Sequence, residues 1–393
     1  MKVARVETIR LAEIPALLIV RICTDDGIEG VGDTFYASGS VAAYIHEFLA
    51  PRLLGSDPLH IDRIWYDSYD RLAARWGGAG VEMRAISAID VCLWDILGQS
   101  LGTPIYQLLG GPTKDRVRTY NTCAGPDYGV PAPSRGGQSP GPLEDLWAQV
   151  HQPAELAKEL LAEGYTGMKI WPFDNAAIAS DGHHLSPQQL ESGVRPIAEI
   201  RSAVGSDMDI MIEGHGYWDL PSAKKIAFAV EEFAPAWLED LVPAQDIDAV
   251  KQLKGLTRTP VIASEFLTTR LQYRRLLEQR ACDIVMIDPT WAGGISESRK
   301  IAAMADAFSM PVAMHDCTGP FTLMAGLHLA INATNALYQE SVRAYLRTWY
   351  AGLMTPMPTI EAGHFLAPTG SGLGVRLREE VLERADATVT VSS

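Results

Sequence analysis

Five acidic side chains and one histidine recur along the second half of the chain, 23 to 27 residues apart. They are Glu213, Glu239, Glu265, Asp288, His315 and Glu340. Each stands at the end of a short apolar run, and the interval suits one strand, one helix and two loops. A single carboxylate at such a place is more often a helix cap or a solvated loop residue. Several carboxylates brought together repel each other unless a cation compensates them, so the repeat indicates a metal site.

The donor atoms available at these positions indicate which metal to expect. Oxygen ligands favour a hard cation, and Mg²⁺ in particular is held by a few carboxylates with positions left for substrate. Three acids on consecutive predicted strands form the expected ligand set, Glu213, Glu239 and Glu265. Asp240 is the alternative to its neighbour Glu239, because the sequence alone does not tell which of the two faces inward. A zinc site on His215 and His315 is the other alternative, although no HExxH pattern accompanies them.

Short β-type runs alternate with helical patterns from about residue 117 onward. The predicted strands lie at 117–122, 167–171, 209–216, 236–241, 260–265, 283–289, 311–316 and 335–340. The clearest helical patterns between them lie at 222–233, 268–279 and 296–308. This alternation predicts parallel βαβ units, and eight units close a (β/α)₈ barrel of the TIM type. The six polar strand ends would then meet at the C-terminal mouth of the barrel, where such folds build active sites.

The composition restricts the class of function. At 393 residues the chain exceeds the usual size of one core, so two domains, or a barrel with an accessory domain, are expected. The net charge of −15 disfavours a nucleic-acid partner, which needs a surface rich in lysine and arginine. The five cysteines include no CxxC pair, and no segment resembles a signal peptide or a membrane span. We therefore predict a soluble, cytoplasmic protein with free thiols and no membrane partner.

Three segments resemble the enolase superfamily, in its mandelate racemase-like branch. Residues 85–111, AISAIDVCLWDILGQSLGTPIYQLLGG, match the passage from the capping domain to the barrel in that family. Residues 17–34 resemble its N-terminal strands and mobile substrate loop, and residues 370–377 resemble its C-terminal return to the capping domain. Together with the acids of the predicted barrel, the resemblance covers nearly the whole chain.

The resemblance implies a division of the chain and a set of metal ligands. Residues 1–116 form an α+β capping domain to which residues 365–393 return, and residues 117–364 form the catalytic (β/α)₈ barrel. One Mg²⁺ is bound in each active site, and its implied ligands are Glu213, Glu239 and Glu265. Relatives more often carry aspartate at the first of these positions, so the glutamate here is a conservative departure.

The resemblance also implies the groups that act on the substrate. Asp288 and His315 match an aspartate–histidine dyad, in which the aspartate fixes the tautomer of the imidazole and raises its basicity. Glu340 matches an acid of the eighth strand that hydrogen-bonds the substrate or a developing oxyanion. The substrate is implied to be a small molecule with a carboxylate group.

The second predicted strand departs from the pattern of the family. Many relatives carry Lys-x-Lys, whose second lysine transfers a proton. This chain has Lys169 at the first position and Trp171 at the second. The missing lysine argues against a lysine-dependent racemase. Lys169 is expected to pair with the substrate carboxylate or, alternatively, with the metal-binding acids, and Trp171 is expected to form a wall of the pocket.

His215 stands in the segment EGHG at the end of the third predicted strand. This segment resembles sugar-acid dehydratases of the galactonate type, in which the residue two positions beyond the metal ligand is a catalytic histidine. Residues two apart on a strand face the same side, so His215 is expected to reach the substrate beside Glu213. A structural histidine with satisfied hydrogen bonds is the alternative.

The implied reaction is the Mg²⁺-dependent dehydration of a sugar acid, by a carbon–oxygen lyase. His315 takes the proton next to the carboxylate, His215 protonates the departing β-hydroxyl, and a 2-keto-3-deoxy acid results. A racemase, an epimerase or a cycloisomerase is the alternative, because two histidines could also run those reactions. A barrel without catalytic activity is a third hypothesis.

Specificity is expected from loops at the mouth. The Gly-rich segment 32–40, which includes Tyr36, is predicted to act as a lid that contacts the substrate. Arg270 is predicted to contact the substrate or Glu265. The segments 124–147 and 172–189 have the composition of loops. Relatives are commonly homo-oligomers, and the same is expected here.

Overall fold

The computed structural model describes residues 1–129 and 140–393. Its N-terminal strands are β1 (Val3–Leu11), β2 (Leu17–Thr24) and β3 (Glu29–Phe35). The helices that follow are α1 (Ser38–Tyr44), α2 (Ala50–Leu53), α3 (Ile61–Ser68), α4 (Val81–Ser100) and α5 (Ile105–Leu108). Shorter helical turns lie at Ile45–Leu49 and Ala73–Trp76. Most of α4 is buried, because it packs between β3 on one side and helices of the barrel on the other.

Eight parallel strands form the second part of the chain. They are β4 (Arg116–Thr122), β5 (Gly167–Ile170), β6 (Asp209–Glu213), β7 (Trp237–Glu239), β8 (Val261–Ala263), β9 (Ile284–Ile287), β10 (Val312–Met314) and β11 (Ala336–Ser341). Each strand pairs with the next along the chain, and β11 pairs with β4, which closes the barrel. The predicted TIM-type barrel with a separate α+β part is therefore confirmed.

Helices connect these strands around the outside of the barrel. They are α6 (Asp145–His151), α7 (Pro153–Ala162), α8 (Asp174–Ala179), α9 (Pro187–Val204), α10 (Leu220–Val230), α11 (Ile247–Lys254), α12 (Thr269–Glu278), α13 (Pro289–Ala292), α14 (Gly294–Ala307), α15 (Pro320–Asn332), α16 (Arg343–Arg347) and α17 (Trp349–Leu353). Turns of 3₁₀-helix lie at Gly205–Asp207, Glu231–Phe233 and Glu379–Val381. Among the described residues, no helix is both long and apolar enough to cross a membrane.

The C-terminal part of the chain returns to both sheets. It contains β12 (Met354–Thr355), β13 (Ile360–Glu361), β14 (His364–Leu366), β15 (Arg376–Leu377) and β16 (Ala387–Ser392). Strand β14 pairs antiparallel with β4 of the barrel, whereas β16 pairs antiparallel with β1 at the edge of the N-terminal sheet. The division of the chain near residues 116 and 364 stays a prediction.

The expectation of loops at 172–189 is wrong for half of that segment. Helix α8 occupies its first part, and α9 begins inside it at Pro187. Ser186 caps α9 by accepting a hydrogen bond from the backbone N–H of Gln189, whose side chain accepts one from the backbone N–H of Ser186. This capping box outweighs the loop-like composition. In the other segment, 124–147, residues 130–139 lie outside the described part of the chain.

Candidate active site

The alternation of side chains along the strands decides which residues reach the mouth of the barrel. Eight side chains fill the barrel interior, Tyr120, Met211, Trp237, Ile262, Ile284, Met286, Ala313 and Tyr338. Residues two apart on a strand face the same side. The inward-facing Met211 therefore places Glu213 inside the barrel. The inward-facing Trp237 does the same for Glu239 and turns Asp240 outward.

The structure brings the three predicted metal ligands together. Carboxylate oxygens of Glu213, Glu239 and Glu265 lie within 4.8 Å of one another, and each residue is at most 3% exposed. Glu265 does not follow from alternation, because it lies two residues beyond the end of β8. Asp240 instead accepts a hydrogen bond of 2.6 Å from the hydroxyl of Ser264. Of the two alternatives on β7, Glu239 is the one that joins the group.

The electrostatics of this group fit a divalent cation. Burial raises the pKa of Glu239 well above its ordinary value; Lys169 opposes the rise and the neighbouring glutamates add to it. Burial also raises the pKa of Glu265, whose Oε2 atom has no hydrogen-bond partner among the described residues. A buried oxygen without a donor and an excess of negative charge are the features that a bound cation satisfies. Three carboxylates are also the donor set of a hard cation.

Lys169 supplies one positive charge to these acids. Its Nζ atom lies 3.2 Å from Glu213 Oε2, 2.7 Å from Glu239 Oε1 and 3.0 Å from Glu340 Oε1. Burial alone would lower the pKa of Lys169, but the carboxylates raise it well above its ordinary value. Of the two partners expected from the sequence, the acids are therefore the ones that Lys169 contacts here. One ammonium group cannot neutralise all these carboxylates.

His315 and Asp288 form the predicted dyad. The Nδ1 atom of His315 lies 2.7 Å from Asp288 Oδ2, while Asp288 Oδ1 accepts hydrogen bonds from the backbone N–H groups of Thr290 and Trp291. These bonds fix the carboxylate and leave Nε2 of His315 facing Glu265 and Glu340, at 3.9 and 3.8 Å. Burial would lower the pKa of His315, but the surrounding carboxylates raise it to about 10.

His215 is held in a similar way by residues that the sequence analysis missed. Its Nδ1 atom lies 2.6 Å from Asp174 Oδ2, and its Nε2 atom lies 3.2 Å from the hydroxyl of Tyr128. Burial would lower the pKa of His215, but Glu213 and Asp174 raise it to about 9. No sequence signal points to Tyr128. Asp174 follows a barrel strand, as the predicted acids do, and this position could have indicated a residue at the mouth.

Both histidines line one cavity of about 60 Å³. Their strands, β6 and β10, are the third and the seventh of the eight, so they lie on opposite sides of the barrel. Lys169, Trp171 and Tyr36 also line this cavity, as do Glu213, Glu265 and Glu340. Tyr36 comes from the N-terminal sheet region and packs against Trp291, with 5.9 Å between ring centroids.

Glu340 accepts hydrogen bonds at both carboxylate oxygens. Oε1 accepts from the hydroxyl of Thr122 and lies beside Lys169, and Oε2 accepts a bond of 3.1 Å from the backbone N–H of Asp316. These contacts hold the carboxylate at the wall of the cavity beside His315.

The structure does not bring Arg270 to the cavity. Its guanidinium pairs with the buried Glu297 at 2.6 Å and stacks over the ring of Trp65. The prediction that Arg270 contacts the substrate or Glu265 is therefore not supported. The reason is that Arg270 follows Thr269, the first residue of α12, so its side chain turns away from the mouth toward helix α14.

Two family descriptions match most of the chain. Residues 6–110 match the N-terminal domain of the mandelate racemase / muconate lactonizing enzyme family. Residues 152–381 match the description enolase C-terminal domain-like. The first match covers the N-terminal sheet and its helices, and the second covers the barrel from α7 onward.

Named proteins and solved structures that are similar to this chain match it over nearly its whole length. The D-galactonate dehydratase of Pectobacterium atrosepticum is 32% identical over 396 residues, which cover 98% of this chain and 94% of that protein. The D-xylonate dehydratase of Haloferax volcanii is 31% identical over 373 residues, covering 93% and 84%. An enolase of the mandelate racemase subgroup from Agrobacterium tumefaciens has a TM-score of 0.89 and 40% identity, covering 100% of this chain and 99% of that one.

Proposed function

The chain belongs to the mandelate racemase / muconate lactonizing enzyme family of the enolase superfamily, and from this premise we propose that it dehydrates a sugar acid. It is then a carbon–oxygen lyase whose product is a 2-keto-3-deoxy acid. Support comes from the full-length relatives named D-galactonate and D-xylonate dehydratase. The observation that carries the proposal is the pair of histidines on opposite walls of one cavity that also holds carboxylates and a lysine.

The two histidines divide the proton transfers. His315, oriented by Asp288, takes the proton from the carbon next to the substrate carboxylate. His215, on the opposite wall, gives a proton to the hydroxyl that leaves the next carbon. A single group could not do both at once, because the two transfers occur on different atoms of the substrate.

Magnesium is the proposed cofactor, and Glu213, Glu239 and Glu265 are its proposed ligands. When bound, Mg²⁺ supplies positive charge that stabilises the negative charge developing on the substrate carboxylate. Lys169 contributes a second positive charge at the same place, and Glu340 is placed to accept a hydrogen bond from the substrate. Trp171 and Tyr36 restrict the space around it.

The loop of Tyr36 forms one side of the cavity. Tyr36 lines the cavity and is 43% exposed, so this loop lies between the cavity and solvent. We infer that the loop moves when substrate enters.

The proposal is tested with a panel of mono- and diacid sugars in the presence of Mg²⁺, scored for the 2-keto product. We expect at least one substrate to be converted, and we expect His315→Asn to abolish turnover while Mg²⁺ binding is kept. Exchange of the α-hydrogen in D₂O without loss of a hydroxyl would instead identify a racemase or epimerase. Absence of both Mg²⁺ binding and turnover would identify a barrel without catalytic activity.

We also propose a cytoplasmic homo-oligomer. Five free cysteines, four of them buried, are typical of a reducing compartment and support the location. Light scattering of the purified protein measures the number of subunits, and a single subunit at micromolar concentration would contradict the second part of this proposal.

A further inference from the structure

The barrel contains two carboxylate–imidazole pairs of the same construction. In each pair the histidine follows one strand and its aspartate follows the preceding strand: Asp288 and His315 after β9 and β10, Asp174 and His215 after β5 and β6. In each pair the contact is made through Nδ1 of the ring, at 2.7 and 2.6 Å. Both rings line the same cavity from opposite sides.

Asp174 has no structural task that would explain its burial. It is 9% exposed and it opens α8, but it makes no capping hydrogen bond there. Its Oδ2 atom contacts His215, and its Oδ1 atom has no hydrogen-bond partner among the described residues. Burying a carboxylate without further donors is unfavourable. The imidazole N–H is therefore the group that compensates it.

The ring of His215 is fixed on its other sides as well. Trp171 contacts it edge-to-face with 5.6 Å between centroids, and Tyr217 lies 5.9 Å away. The backbone of His215 has φ of +48°, a left-handed conformation that a non-glycine residue adopts only when its surroundings require it. The Nε2 atom then lies 3.2 Å from the hydroxyl oxygen of Tyr128, in the position of a donor.

We propose that Asp174 is a positioning residue, which holds His215 with its proton-donating Nε2 atom directed at the substrate. This rests on the proposed function. The acceptor Oδ2 fixes a hydrogen on Nδ1, so Nε2 carries the proton that is transferred. That proton goes to the β-hydroxyl, and the C–O bond breaks with its electron pair to release water. The electron pair of the α C–H bond forms the new C=C bond, and His315 keeps the α-proton.

The first test compares the wild type with Asp174→Asn, which keeps the shape of the side chain. We expect kcat for dehydration to fall about 100-fold while KM changes little, because acid catalysis is lost but binding is not. The variant should still exchange the α-hydrogen in D₂O, since His315 is intact. It should also be rescued by a substrate analogue with fluoride in place of the β-hydroxyl, because fluoride leaves with less need for a proton.

A merely structural role of Asp174 gives different results. Equal loss of dehydration, exchange and fluoride elimination would overturn the proposal, as would an unchanged kcat. The variant His215→Asn provides the reference, because Asp174→Asn added to it should cause no further loss if Asp174 acts through His215. If Asp174→Asn does not fold, Asp174→Glu keeps the charge and displaces it, and the same pattern of partial rescue is expected.

A second readout does not depend on the substrate. Nitrogen-15 NMR of labelled histidines reports which ring nitrogen carries hydrogen, and the spectrum of His215→Asn identifies the resonances of His215. In the wild type we expect hydrogen on Nδ1, where Asp174 holds it, and on Nε2, which carries the proton that is transferred; in Asp174→Asn we expect Nδ1 to lose its hydrogen. Hydrogen retained on Nδ1 of the variant would overturn the proposal. Failure of every sugar acid to react would count against the proposed function, whereas this measurement would still decide the role of Asp174.

Discussion

Two groups of buried carboxylates lie in different regions of the molecule and differ in the partners that compensate their negative charge. One lies where the N-terminal sheet and α4 meet the barrel and the C-terminal segment, and consists of Asp33, Asp90 and Asp95. The other lies at the mouth of the barrel and consists of Glu213, Glu239 and Glu265. Both are almost inaccessible to water, so burial alone does not distinguish them.

The first group is matched by hydrogen-bond donors of the main chain. Asp33 accepts from the backbone N–H groups of Phe321 and Thr322 in the first turn of α15, and from the hydroxyl of Thr322. Asp95 accepts from the backbone N–H groups of Val31 and Leu373, which tie two distant segments to α4. Negative charge is also favoured at the N-terminus of a helix. These carboxylates join parts of the fold.

The second group is compensated less completely. Its acids lie within 4.8 Å of one another, and only Glu213 and Glu239 contact the ammonium of Lys169. Oε2 of Glu265 has no partner among the described residues. Buried carboxylates that each have their own main-chain donors therefore mark a structural joint, and buried carboxylates gathered around one point mark a binding site.

The largest effect is expected at the mouth, from Glu239→Gln. Loss of one of three anionic ligands should abolish Mg²⁺ binding measured by calorimetry and lower kcat/KM by about 1,000-fold or more. Without Mg²⁺, the free energy of unfolding should change little, because the removal of one repelling charge offsets the lost contact between Glu239 Oε1 and Lys169. Asp240→Asn is the matched control, and it should keep Mg²⁺ binding. The opposite result for the two variants would assign the ligand to Asp240.

The next largest effect is expected at Asp90 of the structural joint, whose contribution to the free energy of unfolding should depend on pH. Burial raises the pKa of Asp90 from 3.8 to about 7, although a hydrogen bond from Ser296 opposes the rise. Its Oδ1 atom has no partner among the described residues, which leaves room for a proton. Because the folded state holds this proton more tightly, its stabilising contribution is complete below pH 3.8 and is lost as the pH rises through 7.

The measurement compares the wild type with Asp90→Asn in urea at pH 5 and pH 8. Other carboxylates titrate equally in both proteins, so the difference between them isolates Asp90. The wild type should lose roughly 2 to 3 kcal/mol relative to the variant over this range. A difference that stays constant with pH would show that Asp90 is ionised throughout this range and would contradict the prediction.

The residues at the mouth of the barrel can be predicted from the sequence better than those of the structural joint, for a physical reason. The six mouth residues follow successive strands, and their common period is visible in the sequence. The period also places Glu265, although strand alternation alone would have selected Ser264. The choice between Glu239 and Asp240 needed the observation that Trp237 faces the barrel interior.

The joint residues could not be found in the same way. Asp33 contacts Thr322, which is 289 positions away in the chain, and no local pattern connects the two. Asp174 is hard to predict because the composition of its segment indicates a loop, although it follows a barrel strand as the predicted acids do. The pairing of Arg270 with Glu297 is equally hidden, because Glu297 belongs to another helix.

A moderate effect is expected from Asp33→Asn at pH 8. An amide offers only one acceptor oxygen, so at least one N–H group of α15 loses its partner, and the free energy of unfolding should fall by about 1 to 3 kcal/mol. The folded variant should keep its kcat and Mg²⁺ affinity, because the mouth is unchanged. Asp306→Asn, on an exposed aspartate, is the control and should change stability by less than about 0.5 kcal/mol. Loss of Mg²⁺ binding in Asp33→Asn would contradict the separation of the two groups.

The smallest effect is expected from Tyr36→Phe, which tests a place where the N-terminal region lines the cavity at the mouth. The phenylalanine ring keeps the contact with Trp291 and removes the hydroxyl, so stability should not change. If the hydroxyl contacts substrate, KM should rise about 3- to 10-fold with kcat unchanged, as expected for one neutral hydrogen bond. An unchanged KM would limit Tyr36 to closing the cavity. A fall in kcat equal to that in kcat/KM would instead mean that Tyr36 stabilises the transition state. The N-terminal region would then contribute to catalysis, and not only to the structure.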